Sequence, residues 1–198
     1  MSATLQEPVS TEEPRPYRWS WERYMQAAAA GAFDGRRVML IDGEVMQMSP
    51  MNDPHALGIV FAYERLNKIF DSNFTVRIQM PMRLLGAHDP EPDVAVLAGP
   101  SHTNRTHPTS ALLVVEVADS SFDYDTQDKG NLYAAAGIAD YWVVDVAGQA
   151  LFVFRDPAPE PNARFGHTYS TRSRLEPTES VAPAAAATAS VRVADLLP

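Results

Sequence analysis

The stretch Leu112–Tyr133, "LLVVEVADSSFDYDTQDKGNLY", decides how the chain is read. Its first seven residues form an apolar run interrupted by one carboxylate, Glu116, with four apolar residues before it and two after. A continuous apolar run of this length reads as a strand buried on both faces. An ionised carboxylate in such a place costs several kcal/mol (roughly) unless something compensates it. A metal ion, a hydrogen-bond network or solvent at the strand end would each serve. Thirteen positions later stands Lys129, one of only two lysines in the chain, the other being Lys68. The segment carrying it, Tyr124 to Ala136, reads as a helix stopped by Gly137.

Outward from this stretch the chain alternates strands and helices. "WSWERYMQAAAAGAFDG" predicts a short helix with Ser20 as N-cap and Glu22 in the first turn. "RRVMLIDGEVMQMSP" predicts a hairpin, Val38–Ile41 and Glu44–Met48 around an Asp42-Gly43 turn. "NDPHALGIVFAYERLNKIF" has helical periodicity, with Asn52 or Asp53 as cap and Pro54 just inside. "FTVRIQMPMRLL" alternates with period two as a strand or a bent pair of strands, and "PDVAVLAG" is another strand. "SHTNRTHPTS" is a polar loop; "IADYWVVDV" and "ALFVFRD" form two strands joined tightly enough to be antiparallel. The tail after Asp156 suggests one or two edge strands and a short helical turn at the end. This order predicts an α/β fold, a mixed β-sheet flanked by helices.

Composition sets bounds. At 198 residues the chain has room for one domain with a sizeable core. Hydrophobic content of 45% and charge of 21% are ordinary for a globular protein. Apolar runs fall short of the ~18 residues of a transmembrane helix, so no membrane partner is expected. The acidic, Pro-rich start suggests a flexible arm over residues 1–16, ahead of a single domain over 17–198. The absence of cysteine excludes disulfides and thiolate metal sites and makes a cytoplasmic location the default. A net charge of −9 argues against a protein that coats nucleic acid non-specifically.

Three acidic residues sit at strand ends or within apolar strands: Glu44 opens the second hairpin strand, Asp93 follows the Pro90-Glu91-Pro92 turn, and Glu116 ends its run. If the strands are neighbours, two or three carboxylates converge, a donor set suited to Mg²⁺ or Mn²⁺. A lysine nearby would complete the parts for metal-dependent phosphodiester hydrolysis. Each residue also has a plainer reading. Asp93 would fix a turn, Lys129 would pair with Asp125 at i,i+4, and Glu44 would face water. His55 would cap or pack at a helix start. Asp123, Asp125 and Asp128 would answer a helix dipole, and Tyr133 and Tyr141 would be core. Gly130, directly after Lys129, weakens its predicted helix by roughly 1 kcal/mol relative to alanine.

The segments "PEPDVAVL", "LLVVEVADSS" and "YDTQDKGNLYAAAGIADYWVVD" together resemble the Uma-type putative restriction endonuclease family of the PD-(D/E)XK nuclease superfamily. "LIDGEVMQMSP" and the closing "VRVADLLP" resemble its two ends, so the similarity runs from about residue 17 onward. The resemblance implies a restriction-endonuclease-like core and a Mg²⁺- (or Mn²⁺-) dependent endonuclease acting on DNA, working as a homodimer. Pro92 and Asp93 match the "PD" element and Glu116 the second acidic element, the two metal ligands. The superfamily's lysine position, two residues later, is here Ala118, and Lys129 takes its place from the following helix. Glu44 matches an early acidic residue near the metal. Two other readings stand beside this one. The first is an inactive nuclease-fold module binding through an arginine face, for which Arg36, Arg37, Arg77, Arg83 and Arg105 are candidates. The second is a hydrolase of RNA or nucleotides.

Overall fold

The computed structural model describes residues 15–104 and 106–198. Most of the arm expected over 1–16, residues 1–14, lies outside them, as does Arg105. Helix α1 (Trp21–Ala29) starts at Ser20, whose Oγ accepts from the Arg23 amide. A hairpin follows, β1 (Val38–Ile41) and β2 (Glu44–Gln47). Asp42 and Gly43 both take positive φ, 52° and 70°, as a type I′ turn demands. Helix α2 (Asp53–Ile69) is capped by Asn52, whose side chain accepts from the His55 amide, with Pro54 in the first turn.

The centre is a six-stranded sheet of β3 (Phe74–Ile78), β4 (Val94–Ala98), β5 (Leu113–Ala118), β6 (Asp140–Asp145), β7 (Ala150–Pro159) and β8 (His167–Leu175), in that spatial order. All neighbours are antiparallel except β5 and β6, whose parallel pairing needs a crossover. The crossover is the segment that opened the sequence reading. It is not one helix. Tyr124–Lys129 form a π-helical turn, and an α-helix, α3 (Gly130–Ala135), continues from it. The Gly130 amide reaches back five residues to the Asp125 carbonyl, so the turn holds an extra residue, a feature common at functional sites. Gly137, at φ 73°, ends α3 in the left-handed conformation. Short strands β9 (Ser180–Val181) and β10 (Val191–Arg192) close the tail. Among the described residues no helix is long and apolar enough to cross a membrane.

All six residues of β5 are buried, so its two faces meet two different cores. Leu113, Val115 and Val117 pack with α2 and the C-terminal residues Val193 and Leu196. Val114 and Ala118 pack on the other face with Met39, Ile41, Leu132 and Tyr133 of the hairpin and α3. Period-two alternation therefore aims Glu116 at α3 and the π turn. On the α2 side the approach is close. A Cβ at Gly58 would lie 2.7 Å from Val117 Cγ1, so glycine is what lets the helix sit on the strand.

Candidate active site

Asp93 immediately precedes β4, and Glu116 lies on the neighbouring β5. The two acids meet at the strand edge. The Asp93 amide approaches Glu116 Oε2 at 3.4 Å, while the Val117 amide donates to Asp93 Oδ2 at 2.9 Å. Val117 extends past the last β4–β5 pair, so its amide meets the Asp93 carboxylate where a β4 partner would otherwise stand. His55 Nε2, from the first turn of α2, stands 3.1 Å from Asp93 Oδ1, and Gln79 Nε2 donates to the same oxygen at 3.3 Å. Gln79, directly after β3, takes φ 46°, an uncommon conformation for a side-chain-bearing residue, and its amide also donates to the Asp93 carbonyl.

The π turn supplies the cation. Lys129 Nζ lies 2.9 Å from Glu116 Oε2 and 3.1 Å from Asp125 Oδ1. The second contact is an ion pair without hydrogen-bond geometry, and Asp125 Oδ1 is left without a hydrogen-bond donor although it is buried. Ser121 Oγ donates to the other Asp125 oxygen, and the Tyr133 hydroxyl donates to Glu116 Oε1 at 2.7 Å. Asp125, Lys129 and Tyr133 thus share one face of the crossover, four residues apart.

Three carboxylates around one ammonium leave the pocket short of positive charge, and the ionisations record it. Burial pushes the Glu116 carboxyl up to about 8; the Lys129 charge pulls it back, and the facing Asp93 and Asp125 charges add to the rise. Burial also disfavours the Lys129 ammonium, yet Glu116, Asp125 and Asp93 outweigh it and hold the lysine charged well above its ordinary range. Asp93 is buried too, but the His55 hydrogen bond and the Lys129 charge bring it below the usual carboxylate range. The hydrogen bond to Asp93 raises His55 against its burial. Glu116 and Lys129 thus share a linked ionisation in which burial resists charge on both and each favours charge on the other.

His55, Gln79, Asp93, Asp125 and Lys129 form the floor of a cleft of about 360 Å³, with Glu116 and Tyr133 buried beneath it. Its walls include Met39, Met46, Gln47, Met48, Pro50, Met51 and Tyr124, with Arg37 and Glu91 paired at 2.8 Å at one side. Asp93 and Lys129 line it. Glu44 does not. It sits beside the hairpin turn, at the far end of β2 from the cleft-lining Met46 to Met48, and its carboxylate pairs with Arg18 at 3.0 Å. Among the arginines considered for a binding face, Arg37 pairs with Glu91 and Arg83 stacks 4.1 Å over Trp21 while pairing with Glu22. Arg77 is buried, with one contact to the Pro81 carbonyl.

Three residues of the site take roles that the sequence reading assigns elsewhere or passes over: it gives His55 as a cap or packing residue and Tyr133 as core, and Gln79 only as part of a strand. The Lys129–Asp125 pair stands where the i,i+4 spacing puts it. A signal for Tyr133 lies in the i, i+4, i+8 spacing of Asp125, Lys129 and Tyr133. Gln79 had none, because its position depends on where β3 stops.

Two carboxylates with a nearby backbone edge form a donor set that suits a hard divalent cation keeping several waters. Among the described residues no group of three or more His, Asp or Glu side chains forms a ready cation cage, which is the arrangement a closed structural zinc site would need. The raised Glu116 carboxyl, with Asp93 and Asp125 facing it, favours an added cation.

The fold has a solved counterpart. A crystal structure described as a putative nuclease belonging to DUF820, from Anabaena variabilis, superimposes with a TM-score of 0.60 at 14% identity, covering 81% of this chain and 89% of that one. At that identity the likeness concerns the fold. No curated protein is similar enough to the chain to serve as a relative. A family model described as "Putative restriction endonuclease" matches residues 21–190. With most of its length matched, the chain belongs to the Uma2 family of putative restriction endonucleases.

Proposed function

We propose that the chain is a metal-dependent endonuclease that hydrolyses DNA phosphodiesters by attack of an activated water. The observation that carries this reading is the meeting of Asp93, Glu116 and Lys129, from two neighbouring strands and the crossover between β5 and β6, with Asp93 and Lys129 lining one cleft and Glu116 directly beneath them. Asp93 and Glu116 would hold Mg²⁺ or Mn²⁺, which when bound would polarise the phosphoryl oxygen and acidify a water. Lys129, held charged, orients the attacking water and offsets negative charge that develops on the phosphoryl group. His55 and Gln79 fix the Asp93 carboxylate, and Tyr133 and Asp125 fix Glu116 and Lys129. Glu44 has no part in this scheme.

A homodimer in the cytoplasm, with one such site in each copy, completes the reading. Mn²⁺ titration by calorimetry tests its first step. The native protein should bind and Asp93→Ala should not, while Lys129→Ala should bind metal yet fail to cut DNA. No binding by the native protein, alone or with DNA present, would overturn the reading in favour of an inactive module.

A further inference from the structure

The cleft walls are made of thioethers. Of the chain's eight methionines, Met39, Met46, Met48 and Met51 line the cleft. Met80 follows Gln79, which touches Asp93. Three of these are unusually open to solvent, Met46 at 37%, Met51 at 40% and Met80 at 49% exposure. Leu57, two residues beyond His55, and Ile78, just before Gln79, are also exposed. Methionine normally fills core gaps, and exposed methionines mark adaptable binding surfaces.

Positive charge is scarce in the same place. A protein that tracks duplex DNA neutralises a row of phosphates with Lys and Arg. Here Arg37 and Lys129 are the Arg and Lys lining the cleft, and both are already paired, with Glu91 and with Glu116 and Asp125. The volume is also small. About 360 Å³ lies near the lower end of clefts that enclose one small molecule. Asp93, at 8% side-chain exposure, lines it, and Glu116, at 1%, lies beneath that lining in contact with Lys129.

A phosphodiester reaches such a floor most readily when its nucleotide leaves the helical stack. We infer that the cleft takes one unstacked nucleotide, its base lying against Met46, Met48 and Met51 and its phosphodiester on the carboxylate floor, so that the substrate class is single-stranded or locally opened nucleic acid. The inference rests on the nuclease reading above. Thioether sulfur against a flat π face is favourable, and methionine is among the apolar side chains that proteins insert between base steps. A second copy of the chain would also cover these methionines. It would seal the floor, however, and leave the charged groups there with no substrate.

Binding measured by fluorescence anisotropy tests this with Ca²⁺ in place of Mg²⁺, so that affinity is read without cleavage. The probes are a labelled single-stranded DNA, the same strand in RNA, and the matching duplex. Single strands should bind about tenfold or more tighter than the duplex. Their salt slope should be shallow, with a magnitude of about 2 or less, because few phosphates are neutralised. Met46→Ser and Met51→Ser should each weaken single-strand binding about threefold, and together about tenfold. Leu85→Ser, exposed at 79% and outside the cleft, is the control.

Tighter duplex binding, or thioether variants that bind as well as the native chain, would overturn the inference even if Mn²⁺ binding and DNA cleavage upheld the nuclease reading. A concentration-dependent dimer that Met51→Ser dissociates, with no strand binding, would also overturn it and assign the collar to a second copy. Strand binding without cleavage in Mg²⁺ or Mn²⁺ would uphold the ligand and remove the nuclease reading. The DNA and RNA arms name the sugar.

Discussion

Glu116→Gln should make the metal-free protein more stable, with a gain that grows with pH. Glutamine keeps the shape of the side chain and can still accept from Tyr133, but it removes the ionisation that the pocket resists. The Glu116 carboxyl titrates near 8 in the folded chain against an ordinary 4.5. Between those values the folded protein keeps a proton that the unfolded chain has lost. Stability from this group is therefore fully present below the unfolded value and lost as pH rises toward 8. Each pH unit in that window is worth about 1.4 kcal/mol. Sharing of the proton with the Lys129 pair reduces the total, leaving a penalty on the order of 2–4 kcal/mol near pH 8.

Urea unfolding followed by tryptophan fluorescence should then show native and variant nearly equal at about pH 5 and the variant ahead by that margin at about pH 8. Mn²⁺ added near pH 8 should stabilise the native protein and leave the variant where it was. The reasoning fails if Glu116→Gln is destabilised equally at both pH values. That result would mean an ionised Glu116 is repaid in full by Lys129, and the pocket has no charge deficit for a cation to fill.

Three further outcomes follow from the packing. Tyr133→Phe removes a buried 2.7 Å hydrogen bond to Glu116 and should cost about 1–3 kcal/mol by urea unfolding; no change would show the bond is not made in solution. Gly58→Ala brings a Cβ within 2.7 Å of Val117 Cγ1 and should cost about 1–3 kcal/mol while shifting His55 away from Asp93; unchanged stability and Mn²⁺ affinity would refute the close approach of α2. Gly130→Ala should stabilise by roughly 0.5–1 kcal/mol. Gly130 has helical φ and ψ, and an added Cβ would meet Asp125 O and Tyr141 at ordinary distances, 3.6 and 3.7 Å; a loss of stability would mean the π turn needs glycine.

Local chemistry was legible and non-local chemistry was not. The Asp42-Gly43 turn and the Gly137 stop are set by residues adjacent in sequence and stand where the sequence placed them, and of the two cap candidates, Asn52 and Asp53, the structure uses Asn52. The burial of β5 could be read from its apolar run. Strand order could not, because the pairing of β4 with β5 depends on side chains far apart in the chain. The extra residue in the π turn was hidden because Tyr124–Ala136 also fits a 3.6-residue period. Glu44 shows the same limit from the other side. Its place at the start of β2 was correct, but which end of the hairpin faces the cleft is settled by how β1 and β2 lie against the sheet.

In the proposed scheme the supply of the lysine from the crossover, and not from the strand, has a steric explanation in β5 itself. A lysine two residues after Glu116 would share its face of the strand, since side chains alternate with period two. Ala118 holds that position, fully buried against the core that contains Tyr133. A small residue there leaves room for the crossover to descend onto the strand, and the π turn fills the space. Its extra residue matters for direction. An α-helical residue advances the side-chain direction by about 100°, so deleting one residue from the turn would rotate Lys129 away from Glu116 and break the 2.9 Å contact between them. The alanine on the strand and the wide turn in the crossover are therefore one arrangement: the first opens the space, and the second delivers the ammonium to the carboxylate that would otherwise be stranded in the sheet.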